Sequence, residues 1–329
     1  MSSIKTLAYT ITTNLAGLHP QFEVLDQFWQ KWNVAVPSDA ESLTISDNEF
    51  VHSFVEFLLE HDILCSTMKV VMTDELRNST RSTMFRESSL GIAVLSNLWY
   101  KSEGRPFLEA TLVPLVNSLG SSEESLEIDP MLAEDRSRVK KNVNTILEAV
   151  YGFLQRVYKS YDLFPEKFKI ILRGLDNGVS LRFSDVGSSI VAGVLFLRLI
   201  NPAVVFPQNY GFFQKEKLTG HGLRALVIVS KIIQCMANES EFSSSKDPQL
   251  VIANRFMRKE MPQWRTYFHK LMTGSDMVEG HTGIAMEISP EDLVSKSNHD
   301  IYAELTCPKT LSKQREMISH LFTLEKQLQ

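Results

Sequence analysis

Residues 132–158 read LAEDRSRVKKNVNTILEAVYGFLQRVY. Within this run Val139, Val143, Ile146, Val150, Phe153, Leu154 and Val157 recur at steps of three and four, which lines them up along one stripe of an α-helix. A half-buried strand would alternate at every second residue instead. The spacing predicts a long helix from about Leu132 to Tyr158, and the same period runs through most of the chain on either side. Upstream, Ser46-Asp47-Asn48-Glu49 has the form of a capping box, with Phe50, Phe54, Phe57 and Leu58 following at core-face spacing. Downstream, helices are expected between Arg224 and Ala237 and between Gln249 and Met261. Ser289-Pro290-Glu291-Asp292 has the form of a helix start, and a last helix carries Leu311, Ile318, Leu321, Phe322 and Leu324. Breakers fall at Gly104–Pro106, Gly120–Glu124, Gly174–Ser180 and Pro202–Gly211. Val34-Ala35-Val36 is too short to count as a strand. The expected fold class is therefore all-α, a single elongated multi-helix domain over 1–272. Its core spans about 45–272 with the preceding helices packed as an extension, and 273–329 form a loop plus a C-terminal helical extension.

Composition narrows the function. The chain has 329 residues, 43% hydrophobic and 22% charged, as expected of a folded globular protein. A formal net charge of −5 leaves no basic footprint for nucleic acid as the main partner. Cys65, Cys235 and Cys307 are too few and too scattered for a disulfide framework or a zinc site, and the eight histidines show no ligand-like pairing, so no metal is expected. The opening MSSIKTLAYTITTNL does not have the form of a signal peptide, and a reducing cytoplasm is the expected setting. Ile190–Phe206, IVAGVLFLRLINPAVVF, is the most apolar run, but it contains Arg198, Asn201 and Pro202 and is shorter than the roughly 20 residues of a membrane span. It is expected to be a buried helix, and no transmembrane segment is expected. A G-x-x-x-x-G-K-[ST] cradle, a dinucleotide fingerprint, H-E-x-x-H, an EF-hand loop and G-x-S-x-G are all missing, which weakens any reading as an enzyme in its own right.

Three segments carry chemistry. Arg198 sits inside Phe196-Leu197-Arg198-Leu199-Ile200-Asn201-Pro202-Ala203, where a guanidinium that cannot be neutralised needs acceptors arranged for it. Arg86 sits in Thr83-Met84-Phe85-Arg86-Glu87-Ser88-Ser89-Leu90, close to a helix start, where the macrodipole disfavours a cation. By spacing alone Arg86 reads as an ordinary surface residue. Arg224, Lys231, Gln234 and Asn238 are separated by 7, 3 and 4 residues and share one helix face. Such a stripe is most often a solvated side, but two basic charges on it in an acidic protein suit an acidic partner.

Together these segments resemble the signature blocks of the Ras GTPase-activating domain family, which includes neurofibromin and the synaptic members. Phe85-Arg86-x-x-x-Leu90 resembles the arginine-finger loop, and Phe196-Leu197-Arg198-x-x-x-Pro202-Ala203 resembles the F-L-R-x-x-x-P-A block. Arg224-x-Leu226-x-x-x-Ser230-Lys231-x-x-Gln234-x-x-Ala237-Asn238 resembles a third block, with lesser echoes at Glu127-x-Asp129-Pro130 and Phe164-Pro165-x-x-x-Lys169. Glu87 follows the finger where several members have a small residue, although the synaptic members carry Glu. Lys246, after Phe242, resembles the family's basic residue that touches the GTPase, with the spacing shifted by one.

The resemblance implies a GTPase activator that turns over no substrate of its own. Arg86 would be the finger, with Phe85 in its loop, and Arg198 would hold that loop from behind. Leu197, Arg224, Lys231, Gln234, Asn238 and Lys246 would belong to the GTPase-binding groove. The implied partner is a Ras-family small GTPase in its GTP-bound form. GTP and Mg belong to that partner, so no cofactor is expected here, and recruitment to the inner face of the plasma membrane would run through it. The rival is a GTPase-binding scaffold of the same fold with little catalysis. Retention of Arg86 and of the F-L-R block speaks against it.

Overall fold

The computed structural model describes residues 47–78, 80, 89–183, 189–273 and 288–294. Among these residues there is no strand, and the fold is all-α. In chain order α1 is Asp47–Glu60, α2 Leu64–Asn78, α3 Leu90–Lys101, α4 Arg105–Leu119, α5 Val139–Lys159 and α6 Glu166–Arg182. Next come α7, Ser189–Gly193, a π-helical segment, Val194–Ile200, and α8, Asn201–Val205, end to end. The remaining helices are α9, Gly220–Ala237, α10, Ala253–Thr273, and the short α11, Pro290–Val294. No helix among the described residues is long and apolar enough to cross a membrane.

The stripe on α5 does what its period requires: Val143, Ile146, Val150, Phe153, Leu154 and Val157 are buried. The helix starts later than expected, however. Residues 131–135 are not helical, because Asp135 turns its carboxylate onto the backbone N–H and hydroxyl of Ser137 and caps the short 3-10 turn Arg136–Arg138. On α1, Phe50, Phe54 and Leu58 are buried as their spacing predicts, while Phe57 packs at the core's edge. An aromatic nest of Trp99, Phe107, Phe164 and Phe168 joins α3, α4 and the start of α6, with Trp99 and Phe168 centroids 4.7 Å apart.

Gly174–Ser180 is not a break between helices. It lies inside α6, and the glycine there serves packing: a Cβ on Gly178 would come within 2.6 Å of Leu76 and 2.8 Å of Ile288. Pro202 does not end its helix either, but starts α8; the true turn comes at Gly211, with φ of 72°. The helix expected over Gln249–Met261 begins at Ala253, after a 3-10 turn at Pro248–Leu250, and continues to Thr273.

Residues 288–294 dock on this same body. Ile288 is fully buried, its carbonyl accepts from Asn177 Nδ2 at 3.0 Å, and Asp292 pairs with Lys69 at 3.0 Å. Ser289 and Asp292 cap each other's backbone N–H reciprocally, the helix start expected from the sequence. Ser46 of the first capping box, the finger segment with Phe85 and Arg86, most of the loop after Thr273 and the helix carrying Leu311 lie outside the described residues.

Candidate functional site

The F-L-R block is helical throughout, π-helical up to Ile200 and α-helical from Asn201. Pro202 has no N–H to give, and its ring would press on the carbonyl of Arg198 four residues back. The helix responds by widening: Asn201 N–H bonds the Phe196 carbonyl, five residues back, in the π-helical register. Such turns inside α-helices are frequently found at functional sites. Here the turn divides the block between core and surface. Phe196 stays in the core at 4.7 Å from the Trp264 ring and 5.9 Å from Phe268, both on α10. Leu197, by contrast, is 37% exposed and Arg198 is half-buried.

Two contacts tie this helix to α9. Asn201 is buried and donates through Nδ2 to the Ser230 carbonyl at 3.3 Å, next to Lys231. One level away, Asn238 at the C-cap of α9 lies against the helix before the π turn, with its Oδ1 3.8 Å from where a Cβ on Gly193 would stand. A Cβ there would sit in ordinary van der Waals contact, so the approach of α9 to the F-L-R helix does not depend on a glycine at this position. Asn201 lay within the recognised block but had no role assigned from sequence; only its burial and its long-range partner reveal one.

On α9 itself the expected stripe is present. Lys231 and Asn238 are exposed and Arg224 and Gln234 partly so, while Ala225, Leu226, Ile228, Val229, Ile232 and Ile233 are buried. The four do not share one role. Arg224 is engaged with Glu127 through two bonds, Nε to Oε2 at 2.7 Å and Nη2 to Oε1 at 3.2 Å. Glu127 is 7% exposed, and its Oε1 also accepts the backbone N–H groups of Ile128 and Asp129, both at 3.0 Å. Burial by itself would raise this carboxyl, but Arg224 and the two N–H groups outweigh it and hold the pKa below the usual carboxylate range. Bonding to Glu127 correspondingly raises the Arg224 pKa. Asn142 of α5 donates to the carbonyls of Ser125 and Glu127, at 3.2 and 2.9 Å, and completes the attachment of this loop.

Lys231, two helical turns further on, pairs with Asp247 at 3.2 Å in the open. Lys246 is exposed beside Asp247 in the turn that follows Ser243, whose carbonyl accepts the Lys246 N–H at 3.2 Å. Lys231, Gln234, Asn238 and Lys246 are thus brought to one surface next to the F-L-R turn, and Arg224 is set apart by its buried pairing. Asp247 carries no local sequence signal as a partner of Lys231, because sixteen residues of chain separate them. Phe85 and Arg86 are outside the described residues; the chain re-enters at Ser89, whose hydroxyl caps α3 by accepting the Ile92 N–H at 3.3 Å.

Residues 132–238 match the family described as RasGAP, GTPase-activator protein for Ras-like GTPase. Over this segment the chain is similar to the RasGAP family. The matched residues take in the F-L-R turn and all of α9, and begin C-terminal to the finger segment. The chain is 27% identical over 217 residues to the probable Ras GTPase-activating-like protein ngap of Dictyostelium discoideum, covering 64% of this chain and 24% of that protein. It is 25% identical over 214 residues to human Ras GTPase-activating protein 1, covering 64% and 19%. It is 32% identical over 180 residues to the GTPase activating protein BUD2 of Candida albicans, covering 51% and 14%. The chain therefore spans less than a quarter of the length of these relatives.

Proposed function

We propose that this chain is a GTPase-activating protein for a Ras-family small GTPase in its GTP-bound form, and that Arg86 is the residue it inserts into the partner's active site. The observation that carries most weight is the joining of the F-L-R turn to α9 through Asn201 and Ser230, which puts Arg198 and Lys231 on neighbouring elements of one surface. The family match over this region supports the same reading.

In such a pair the partner holds GTP and Mg, and its hydrolysis is slow because charge developing on the phosphoryl and leaving oxygens is under-compensated. An arginine from the activator stabilises that charge and helps place the glutamine that orients the attacking water. The planar, permanently charged fork can bond two oxygens at once, which lysine cannot do. In this proposal Arg198 holds the finger segment from behind. Leu197, Lys231, Gln234, Asn238 and Lys246 form the groove that receives the GTPase, and Arg224 contributes by securing the groove's far end through Glu127. Recruitment to the inner face of the plasma membrane follows from the partner.

The test is single-turnover GTP hydrolysis on purified Ras and Rap with the wild type and Arg86→Ala. Stimulation by the wild type should collapse in the variant by roughly 10³-fold or more, a magnitude taken from known Ras–activator pairs rather than from this chain, while binding persists. Binding without stimulation by the wild type would establish the scaffold instead.

A further inference from the structure

The helix that follows the finger segment reaches the F-L-R turn at its other end. α3 begins at Leu90, four residues after Arg86, and runs about 15 Å along its axis to Tyr100 in its last turn. Tyr100 is 8% exposed, and its hydroxyl donates to the carbonyl oxygen of Leu199. Leu199 is the residue after Arg198 and lies within the π turn. The Tyr100 ring is held from its other face by Tyr210, with centroids 4.0 Å apart and 27° between planes. Tyr210 belongs to the 3-10 turn Pro207–Tyr210 that follows α8, and its carbonyl accepts from Arg105 Nη1 of α4 at 3.4 Å.

A widened turn needs help of this kind. Pro202 removes one N–H from the ladder, and the change of register leaves carbonyls poorly matched to the donors that remain. Buried carbonyls must still be bonded, so a donor from outside the helix helps decide which geometry the turn adopts. A phenol at the end of a neighbouring helix supplies that donor without bringing a charge. Burial, and to a lesser degree its neighbour Tyr210, pushes the phenol pKa up, so Tyr100 remains a donor across the physiological range.

We propose that Tyr100 is a positioning residue for GTPase activation: through the Leu199 carbonyl it fixes the π turn, and with it Arg198, relative to the helix whose first turn adjoins the finger. The proposal rests on the roles given above to Arg86 and Arg198. Tyr100 touches neither the partner nor its nucleotide and acts only through Arg198.

Tyr100→Phe keeps the ring and its stacking and deletes only the donor. Single-turnover hydrolysis on GTP-loaded Ras, run over a range of activator concentrations, separates the maximal rate from the half-saturating concentration. The variant should lower the maximal rate about tenfold, with half-saturation close to wild type and the melting temperature lower by only about 2–4 °C, the cost of one buried carbonyl left unbonded. Tyr267→Phe is the control, since it removes a buried hydroxyl with no hydrogen-bond partner among the described residues; it should leave the maximal rate within about twofold. An unchanged maximal rate in Tyr100→Phe, beside a stimulating wild type, overturns this proposal alone. So does a loss of rate accompanied by an equal loss of affinity or by a melting temperature lowered by about 10 °C or more, which would show packing and not positioning. A wild type that stimulates no better than Arg86→Ala overturns the activator reading, and this proposal with it.

Discussion

α9 carries two ion pairs two helical turns apart, and they are built for different ends. At Arg224 the partner is Glu127, whose side chain is 9% exposed and already bound to two backbone N–H groups. At Lys231 the partner is Asp247, with side-chain exposures of 47% and 31%. The first pair is bidentate, partly desolvated and committed to joining a loop to a helix. The second is a single contact between flexible side chains in water, where Coulomb attraction is screened and worth little. Two basic residues on one face of one helix thus divide into one held by the fold and one available to a partner.

Breaking the first pair should have the largest effect. Glu127→Ala strands Arg224 and two backbone N–H groups, and is expected to cost about 3 kcal/mol, discounted because Arg224 is partly solvated. For a domain of this size that lowers the melting temperature by about 6–12 °C, read by a thermal scan. Arg224→Ala should cost somewhat less, about 2 kcal/mol at neutral pH.

The pH dependence sharpens this comparison. The folded-state pKa of Glu127 lies below its ordinary value, so the pair's contribution is complete above that ordinary value and is lost as pH falls through the depressed one. The stability gap between wild type and Arg224→Ala should therefore be full at pH 7 and close progressively in acid. Denaturant melts at several pH values measure it, and a gap that stays constant would show that Arg224 acts through packing alone.

Effects at the second pair should be small in stability and visible in binding. Lys231→Ala is expected to raise the half-saturating concentration for GTP-loaded Ras about fivefold to tenfold while changing stability by under about 0.5 kcal/mol. Asp247→Ala should be the mildest, with the same near-zero stability change and affinity equal to or better than wild type, because it releases Lys231. A drop in melting temperature in either variant comparable to that of Glu127→Ala would erase the distinction between the two pairs.

Much of the helical framework is legible in the sequence. The α5 stripe, the Phe50–Phe54–Leu58 face, the polar edge of α9 and the helix start at Ser289-Pro290 are all local patterns, and each appears where its spacing put it. The misreadings are also instructive. Gly174–Ser180 has the composition of a linker, yet it sits mid-helix, and its Gly178 makes room for Leu76 and Ile288, which a Cβ there would crowd. Pro202 resembled a helix end and instead reset the helical register. Composition records what a residue permits locally, whereas its use is set by what packs against it.

The sequence by itself determined the all-α class, the amphipathic faces and the ordered blocks that mark the family, since periodicity and motif order are properties of the chain alone. Only the tertiary structure decided that Arg224 belongs to Glu127, that Lys231 faces Asp247, that Asn201 reaches Ser230 and that Tyr100 reaches Leu199. These four partners are separated by 97, 16, 29 and 99 residues. Helical periodicity says which side of a helix faces inward, but not which group on another helix it meets. That follows from how the helices pack, through desolvation and hydrogen-bond satisfaction among groups distant in the chain.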